Sequence, residues 1–511
     1  MNTRDKLFAW LGERGLGPQF ANETQKTPNN KDLPFFLSAF SLFLCFGIQA
    51  ITGIFLALYY SPSVTDAWAS VWYIQTQVTW GEIVRGLHYF GSSAVVVIGV
   101  FHLVTLFVRG GYKQGGEIVW FSAILLLFMT FGFGLTGYLL PYDQMGYWAS
   151  QVRTGIVGSL PVIGDLARTL LIGGTEFGNL TLTRFGALHT LVLPLLTLGL
   201  ILLHMKSLKA RLVESGEGDS WWAHMFQKAI LAAVLVGTLL AIALLVEAPL
   251  EPPADPASTY EARPEWYFLF LFQLLKYFEG PLAVIGTVVL PGVGTGFLFA
   301  LPFLDRGDHT SIKSRLPWAM AFASIFCFAG IMSAVALLED AGNEHYQTAL
   351  HQQNHDASEA MRLAELDGIR VDGQIPAYTG YKLFESKGCL GCHGVDGRQE
   401  PDEKLAPRLS GYLSREWFRA FLIAPSSERF YGGVPAEGDN EWDMPAIHSE
   451  DIDIQGDDNL DAIVEWLAAQ SGRPHSPPIN PELAAKGLEL IEDEACSSCH
   501  STEGDEMDGP A

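Results

Sequence analysis

Two apolar stretches, each carrying a pair of histidines almost four helical turns apart, constrain this chain more than any other feature. The stretch Arg184–His204 reads RFGALHTLVLPLLTLGLILLH and sets His189 and His204 fifteen residues apart. Upstream, RGLHYFGSSAVVVIGVFH begins at Arg85 and sets His88 and His102 fourteen apart. At roughly 3.6 residues per turn, either spacing returns both side chains to about one face of a helix. The rise within a pair is roughly 21 Å, most of the hydrocarbon thickness of a bilayer. Ionisable groups inside a membrane segment are functional by default. Two facing helices of this kind can hold two haems by bis-imidazole ligation, one near each membrane surface. A single intramembrane histidine could serve only as a helix–helix hydrogen-bonding group; four in matched pairs, among thirteen in the chain, argue against that.

Charge divides the chain in two. It has 511 residues, is about half hydrophobic, and yet carries a formal charge of −24. Residues 339–511 hold 35 acidic and 12 basic residues, a net of −23, which leaves −1 for residues 1–338. A nearly neutral membrane part is thus followed by an acidic soluble part. That balance excludes a nucleic-acid partner and favours basic ones, with a solubilising surface as the default explanation.

The pattern predicts an all-α fold with seven membrane spans, at roughly 35–58, 86–108, 118–140, 188–205, 229–248, 282–303 and 317–338. Residues 1–33 show no cleavable signal, so the first apolar segment serves as its own insertion signal. Basic residues near Arg109, Lys113, Lys206, Lys209, Arg211, Arg306, Lys313 and Arg315 fall on one side, whereas the loop 59–84 has no Lys or Arg. The positive-inside rule then places the N-terminus in the cytoplasm and everything after residue 338 outside. The expected organisation is a cytoplasmic segment 1–33, a four-helix half 34–228, a three-helix half 229–338, a linker 339–376, a small helical domain 377–472 and a partial repeat of its start at 473–511.

The soluble part contains two Cys-x-x-Cys-His motifs, the attachment signature of c-type haem, in which two thiols bond the vinyl groups and the histidine ligates iron. In the first, Cys389, Cys392 and His393 are followed by enough chain for a class I cytochrome domain, with Met444 the expected sixth ligand, His448 the runner-up and Pro407 a brace for His393. Further zinc ligands at suitable spacing and a thioredoxin-type strand–helix context are both lacking. In the second, Cys496, Cys499 and His500 stand eleven residues from the end, with Met507 too close to act as an opposite ligand. Either the sequence ends early there or another chain completes that haem.

Three further sets of residues fit a redox core. Arg85 and Arg184 lie three and five residues before His88 and His189, and suit haem propionates or plain surface anchoring. Gly53, Gly132, Gly134 and Gly137 would let helices approach a flat macrocycle, although glycine is common in membrane helices. Glu265 follows Pro264 at an apolar margin, where a carboxyl shifts toward proton-handling range; its bland reading is a surface residue that starts an interfacial helix.

Together these residues resemble the cytochrome b of Rieske/cytochrome b complexes. The likeness covers about residues 30–338 and rests on the PEWY tetrad Pro264–Tyr267, TGYLLPYDQMGYWA, TLTRFGALH and the histidine pairs in order. The fifteen-residue spacing of the second pair and the seven spans resemble the plastid type, cytochrome b-six plus subunit IV, here fused near 210–228. Departures are Ala39 and Ala123 where the family has glycine, and the fused c-type cytochrome.

The resemblance implies two haem b, His88 with His189 on the outer one and His102 with His204 on the inner. It implies a quinol-oxidation site with Glu265 as proton acceptor and Tyr267 and Tyr142 beside it. It also implies an extra haem held by one thioether at Cys45, at the inner quinone site; otherwise that cysteine is a small buried hydrophobe. The expected activity is that of a quinol:cytochrome c (or similar acceptor) oxidoreductase that translocates protons in the bacterial cytoplasmic membrane. Its expected partners are a Rieske iron–sulfur protein, the quinone pool and a downstream acceptor, in a homodimeric complex. The alternative is a two-haem membrane anchor exchanging electrons with a partner dehydrogenase or reductase.

Overall fold

Long apolar runs can satisfy their backbone inside a bilayer only as helices, and they do so here. The computed structural model describes residues 33–209, 221–258, 260–278, 280–367, 378, 380, 382–384, 387–395, 406, 408–427, 429–430, 446–447, 454, 456–473, 477–493, 496 and 500. Among these, seven helices are long and apolar enough to cross a membrane: Leu37–Ala57, Gly81–Val108, Glu117–Gly137, Asn179–Leu208, Met225–Leu245, Ile285–Leu304 and Ile312–Gly342. The fold is all-helical; apart from one isolated bridge between Asp143 and Pro253, the described residues contain no strand.

The first unit, residues 1–377, contains thirteen α-helices in its described part. These are α1 (Leu33–Ala57), α2 (Ala67–Thr76), α3 (Gly81–Val108), α4 (Glu117–Gly137), α5 (Gln144–Gly158), α6 (Gly164–Ile172), α7 (Asn179–Ala187), α8 (Leu193–Lys209), α9 (Trp221–Leu245), α10 (Leu269–Lys276), α11 (Leu290–Leu304), α12 (Leu316–Gly342) and α13 (Glu344–Asp367). Helix α3 packs on α1 and α4, α4 on α8, α9 on α1 and α3, and α10 on α12. A π-helical turn, Leu188–Val192, joins α7 to α8 within one span. Such a turn absorbs one extra residue. It explains why the second histidine pair is spaced by fifteen and the first by fourteen, although each pair meets its partner across the bundle.

Two sets of buried polar contacts tie the first four spans to the last three. Near His88, Arg85 donates to Gln75, to the Ala248 carbonyl at 2.6 Å and to the Pro249 carbonyl at 2.5 Å. The Trp68 Nε1 donates to the Glu251 carbonyl at 2.6 Å. The segment 142–144 pairs with 252–254 through Gln144 N to the Pro252 carbonyl at 2.8 Å and Ala254 N to the Tyr142 carbonyl at 3.0 Å. At the opposite end, Lys113 Nζ donates to Asp305 Oδ1 and the Gly307 carbonyl at 2.6 Å each, and Tyr112 donates to Asp305 Oδ2 at 2.6 Å. Arg315, 1% exposed, donates to the Tyr112 hydroxyl at 2.6 Å and to the carbonyls of Phe107, Val108 and Thr310.

Within the segment 339–376, Glu344–Asp367 form a helix. Helix α13 buries Ala360, Leu363 and Ala364. Just before it, Asp340 takes a two-pronged ion pair from Arg263, at 2.8 and 3.0 Å, whose guanidinium lies 4.0 Å from the centre of the Tyr346 ring. A cleft of about 240 Å³ separates Ala357, Ser358 and Met361 of α13 from Gln75 and residues 247–250.

The second unit, residues 378–511, has three described α-helices: α14 (Arg415–Ile423), α15 (Asp457–Gln470) and α16 (Pro481–Asp493). Ser414 caps α14, its hydroxyl accepting from Trp417 N at 3.0 Å. The core joins Trp417, Phe418, Leu422, Phe430, Ile447, Ile454, Leu460, Ile463, Val464, Ala468 and Ile491.

Candidate functional site

The four intramembrane histidines come together in two pairs. The rings of His102 and His204 lie 5.3 Å apart between centroids, with their Nε2 atoms 3.2 Å apart. The rings of His88 and His189 lie 6.2 Å apart. Each Nδ1 meets a hydroxyl: Thr52 at His88 (2.9 Å), Ser38 at His102 (2.9 Å), Thr136 at His189 (3.1 Å) and Ser122 at His204 (2.8 Å). Those hydroxyls are themselves pairs fourteen residues apart, Ser38 and Thr52 on α1, Ser122 and Thr136 on α4. They echo the histidine spacing.

The hydroxyls also decide which ring nitrogen carries the proton. Thr52, Thr136 and Ser122 lie 2.7, 2.8 and 2.6 Å from the carbonyls of Ile48, Gly132 and Ile118, four residues back. A hydroxyl has one hydrogen. If it donates to the carbonyl, it must accept from Nδ1–H, which leaves Nε2 as a lone pair aimed at the opposite ring. That is the tautomer and second partner a metal-bound imidazole requires. The donor set, two imidazole nitrogens and no third ligand, is the one haem iron would take. Among the described residues, no group of three or more His, Cys, Asp or Glu side chains could hold a metal ion. Glycine backs the pair nearer residue 137: a Cβ on Gly137 would stand 2.5 Å from His189 Cε1, and one on Gly53 3.1 Å from His88 Cε1.

A second constellation shares that end of α4. Glu265 and Arg153 form an ion pair with side chains only 9% and 10% exposed. The Arg153 guanidinium lies 5.2 Å from the Tyr138 ring centre and 5.8 Å from that of Phe268. Glu265 Oε1 and the Nε and Nη1 of Arg153 are buried without a hydrogen-bond partner. Orphaned buried polar atoms of this kind need an explanation, and a polar ligand between them supplies one. Burial pushes the Glu265 carboxyl above the ordinary range, and Arg153 opposes that shift. Tyr267 reaches back over α4, where a Cβ on Gly134 would meet its hydroxyl at 2.5 Å; its ring stacks on Phe131 at 5.9 Å. Since Gly134 and Gly137 are one turn apart, Tyr267 and His189 lean on neighbouring turns of the same helix.

The remaining candidates divide. Tyr142, at φ 50°, is buried in the cluster of Ala67, Leu139, Tyr147, Leu182 and Phe185, and burial pushes its hydroxyl up to about 12. Next to it, Asp143 caps α5, accepting from Gly146 N at 2.7 Å, and burial raises its carboxyl to about 6. Burial, with Asp143 nearby, raises Glu251 to about 7. Arg85 is held by Gln75 and two carbonyls, and Arg184 donates to the Leu170 carbonyl.

Cys45 requires a correction. It is fully buried against Leu42, Val95 and Leu235, seven residues from both Ser38 and Thr52. It therefore sits midway between the two histidine layers, about 10 Å from either along the helix, and away from either membrane surface. That packed, mid-span position does not fit a haem bound by one thioether at the inner quinone site; Cys45 is a small hydrophobe.

In the second unit, Cys389–Gly391 form a 3-10 turn and His393 N donates to the Cys389 carbonyl at 2.9 Å. His500 N donates to the Cys496 carbonyl, also at 2.9 Å. Cys389 and Cys392 are not joined in a disulfide. The first turn sets Cys389 and His393 close together, which suits a haem c attachment turn. Met444, His448, Pro407, Cys499 and Met507 lie outside the described residues.

Comparison with known proteins places these features in families. The model described as "Cytochrome b/b6/petB" matches residues 25–212, "Cytochrome b(C-terminal)/b6/petD" matches 253–351, and "Cytochrome c" matches 377–471. Cytochrome b6 of Auxenochlorella protothecoides is 38% identical over 201 residues, covering 39% of this chain and 93% of that protein. Cytochrome b6 of Stigeoclonium helveticum gives the same figures, 38% over 201 residues. A solved chain of a "Hyperthermophilic respiratory Complex III" shares the fold with a TM-score of 0.53 at 23% identity, over 64% of this chain and 89% of that one.

Proposed function

The chain belongs to the cytochrome b/b6 family and carries a cytochrome c domain, and on that premise we propose that it is the quinol-oxidising subunit of a membrane oxidoreductase with its own acceptor cytochrome. Haems at the four intramembrane histidines and at Cys389/Cys392 supply one-electron redox chemistry. The observation that carries the reading is the buried Glu265–Arg153 pair with three unsatisfied polar atoms, adjoining the His189 end of α4.

Quinol oxidation releases two electrons and two protons. A quinol hydroxyl placed between Glu265 and Arg153 would donate its proton to Glu265 Oε1, and the Arg153 guanidinium would steady the developing phenolate. Phe131, Tyr267 and Phe268 wall the site, excluding water and orienting the quinol ring. One electron leaves to a Rieske protein recruited from outside the chain. Haems held by His88 with His189 and by His102 with His204 would offer the other electron a path to a quinone site at the inner surface. Protons would leave on the outer side, and a haem held by Cys389, Cys392 and His393 would accept the Rieske electron. The alternative, a membrane anchor for a partner dehydrogenase, gives no work to a buried carboxyl with an open lone pair.

Glu265→Gln tests the reading. It keeps shape and burial but removes the proton acceptor, so quinol:cytochrome c reductase turnover should fall by roughly 10²- to 10⁴-fold with haem content and b-haem spectra intact. Wild-type turnover in that variant would sink the site assignment.

A further inference from the structure

Two acids that the quinol chemistry leaves unused lie where the first four spans meet the last three. Asp143 opens α5, and Glu251 follows α9 at the start of the loop that pairs with 142–144. Glu251 N donates to Asp143 Oδ2 at 3.3 Å and Gly146 N donates to Asp143 Oδ1 at 2.7 Å, so backbone seats the Asp143 carboxyl. The Glu251 carboxyl has no such seat. Its Oε2 and the Tyr260 hydroxyl beside it are both buried, and neither makes a hydrogen bond of good geometry with any described atom. Gln144 keeps Tyr260 in place by donating to the Ser258 hydroxyl, two residues earlier, at 2.9 Å.

The charges around the two acids favour holding a proton there. Arg85, the cation that acts on Asp143, aims its donors at Gln75 and at the Ala248 and Pro249 carbonyls. The other titratable groups that face them are the phenols of Tyr89, Tyr138 and Tyr260, which bring no positive charge. Two carboxyls held close together in this way, buried and without an ion pair of their own, resist ionising together. Burial accordingly raises Asp143 to about 6 and Glu251 to about 7.

Tyr138 connects these acids with the quinol site. The Arg153 guanidinium that pairs with Glu265 lies 5.2 Å from the Tyr138 ring centre. Glu265 and Asp143 both act electrostatically on the Tyr138 hydroxyl, and Tyr138 acts on that of Tyr260. The start of α5 packs directly on Tyr138, since a Cβ on Gly146 would overlap the Tyr138 carbonyl oxygen and stand 3.0 Å from Asp143 Oδ1. On the other side, the cleft of about 240 Å³ lined by Gln75, Glu247 and Leu250 opens one residue from Glu251.

We propose that Asp143 and Glu251 form a second proton-holding station, which receives the proton that quinol gives to Glu265 and releases it to outer water through that cleft. The proton balance is simple. Glu265 returns from acid to carboxylate, Glu251 gains the proton at Oε2, and water then takes it. The Tyr138 and Tyr260 hydroxyls each accept one proton and pass on another, ending as they began, with water bridging any gap longer than a hydrogen bond. Glu251 touches no substrate and acts through Glu265, so the proposal rests on Glu265 as the proton acceptor from quinol.

Quinol oxidation by the full-length protein in its membrane complex, followed across pH, tests it. Glu251→Gln should lower kcat by roughly 10²-fold and leave KM for quinol and the b-haem spectra unchanged. The loss of rate on acidifying through about pH 7, expected of the native protein, should move away from that pH in the variant. Glu251→Asp should recover most of the turnover, and Tyr260→Phe should slow it as Glu251→Gln does. Native kcat and an unshifted profile in Glu251→Gln and Tyr260→Phe, with Glu265→Gln still slow, would overturn the proposal and leave the quinol site standing. A slowed Glu251→Gln that keeps the native pH profile would mark a structural role and overturn it as well. Native turnover in Glu265→Gln would remove both readings. If Glu251→Gln fails to assemble, the profiles of Tyr260→Phe and Glu251→Asp decide.

Discussion

Gly137→Ala offers the sharpest steric test of the membrane core. The added methyl would stand 2.5, 3.0 and 3.2 Å from Cε1, Nδ1 and Nε2 of His189. Carbon–carbon contact is comfortable only beyond about 3.5 Å, so the imidazole must retreat by about 1 Å. It is not free to do so, because Thr136 holds Nδ1 at 3.1 Å and the Phe133 ring lies edge-on at 5.5 Å. Overpacking of this kind costs roughly 1–3 kcal/mol. At Gly53 a methyl would stand 3.1 and 3.7 Å from the His88 ring, an overlap of a few tenths of an ångström. At Gly132 it would meet Leu193 at 3.7 Å, an ordinary contact, and the gain in helix propensity of about 1 kcal/mol would dominate. Redox titration of the purified protein, followed in the b-haem bands, together with thermal unfolding, should rank the variants. Gly137→Ala should shift the potential or ligation of the haem at His88/His189 and spare the other, Gly53→Ala should do so weakly, and Gly132→Ala should be neutral or slightly stabilising. Wild-type potentials and stability in Gly137→Ala, or damage confined to Gly132→Ala, would refute the packing argument.

Other consequences are equally specific. Arg153→Met leaves Glu265 buried without its partner, which should destabilise by about 3–5 kcal/mol and, since Arg153 holds the Glu265 carboxyl down, move the pH optimum of quinol oxidation upward; an unshifted pH–rate profile would contradict the pairing. Ser122→Ala strips His204 Nδ1 of its acceptor, so the haem at His102/His204 should change potential while its counterpart does not, and equal shifts in both would count against the hydroxyl's local role. Asp143, 7% exposed, has its carboxyl raised from 3.8 to about 6, and Glu251 from 4.5 to about 7. A raised carboxyl contributes stability below its unfolded value and loses it as pH rises through the folded one. Thermal stability should therefore fall between about pH 4 and pH 7, with Asp143 accounting for on the order of 3 kcal/mol. Asp143→Asn should flatten that slope in unfolding scans, and an unchanged slope would reject the assignment.

Much of this architecture was legible because hydrophobic length and histidine spacing are strong, local signals. The spans and the paired histidines follow from the chain read in order. The hydroxyl partners also had a signal, the fourteen-residue repeat of Ser38 with Thr52 and Ser122 with Thr136. It was easy to pass over, since Ser and Thr in apolar helices usually bond back to their own backbone. The π-helical turn shows only as one surplus residue between His189 and His204. Arg153 could not be found by pattern, because its partner Glu265 lies 112 residues away. Cys45 misled because a lone cysteine has identity without depth; only its distance from Ser38 and Thr52 places it mid-span. Helix α13 has a polar sequence, yet it buries Ala360, Leu363 and Ala364, and its Tyr346 ring covers the Arg263 guanidinium.

The contacts that join the first four spans to the last three change what the segment between them is for. Arg85 and Trp68 hold the two parts at one membrane surface, and Lys113, Asp305 and Arg315 hold them at the other. Parts so locked do not need a covalent bridge to stay together once assembled. What the bridge contributes is effective concentration during assembly: it turns a meeting of two membrane proteins into an intramolecular step. Fusion also fixes their ratio at one to one, a constraint on biogenesis rather than on the finished fold.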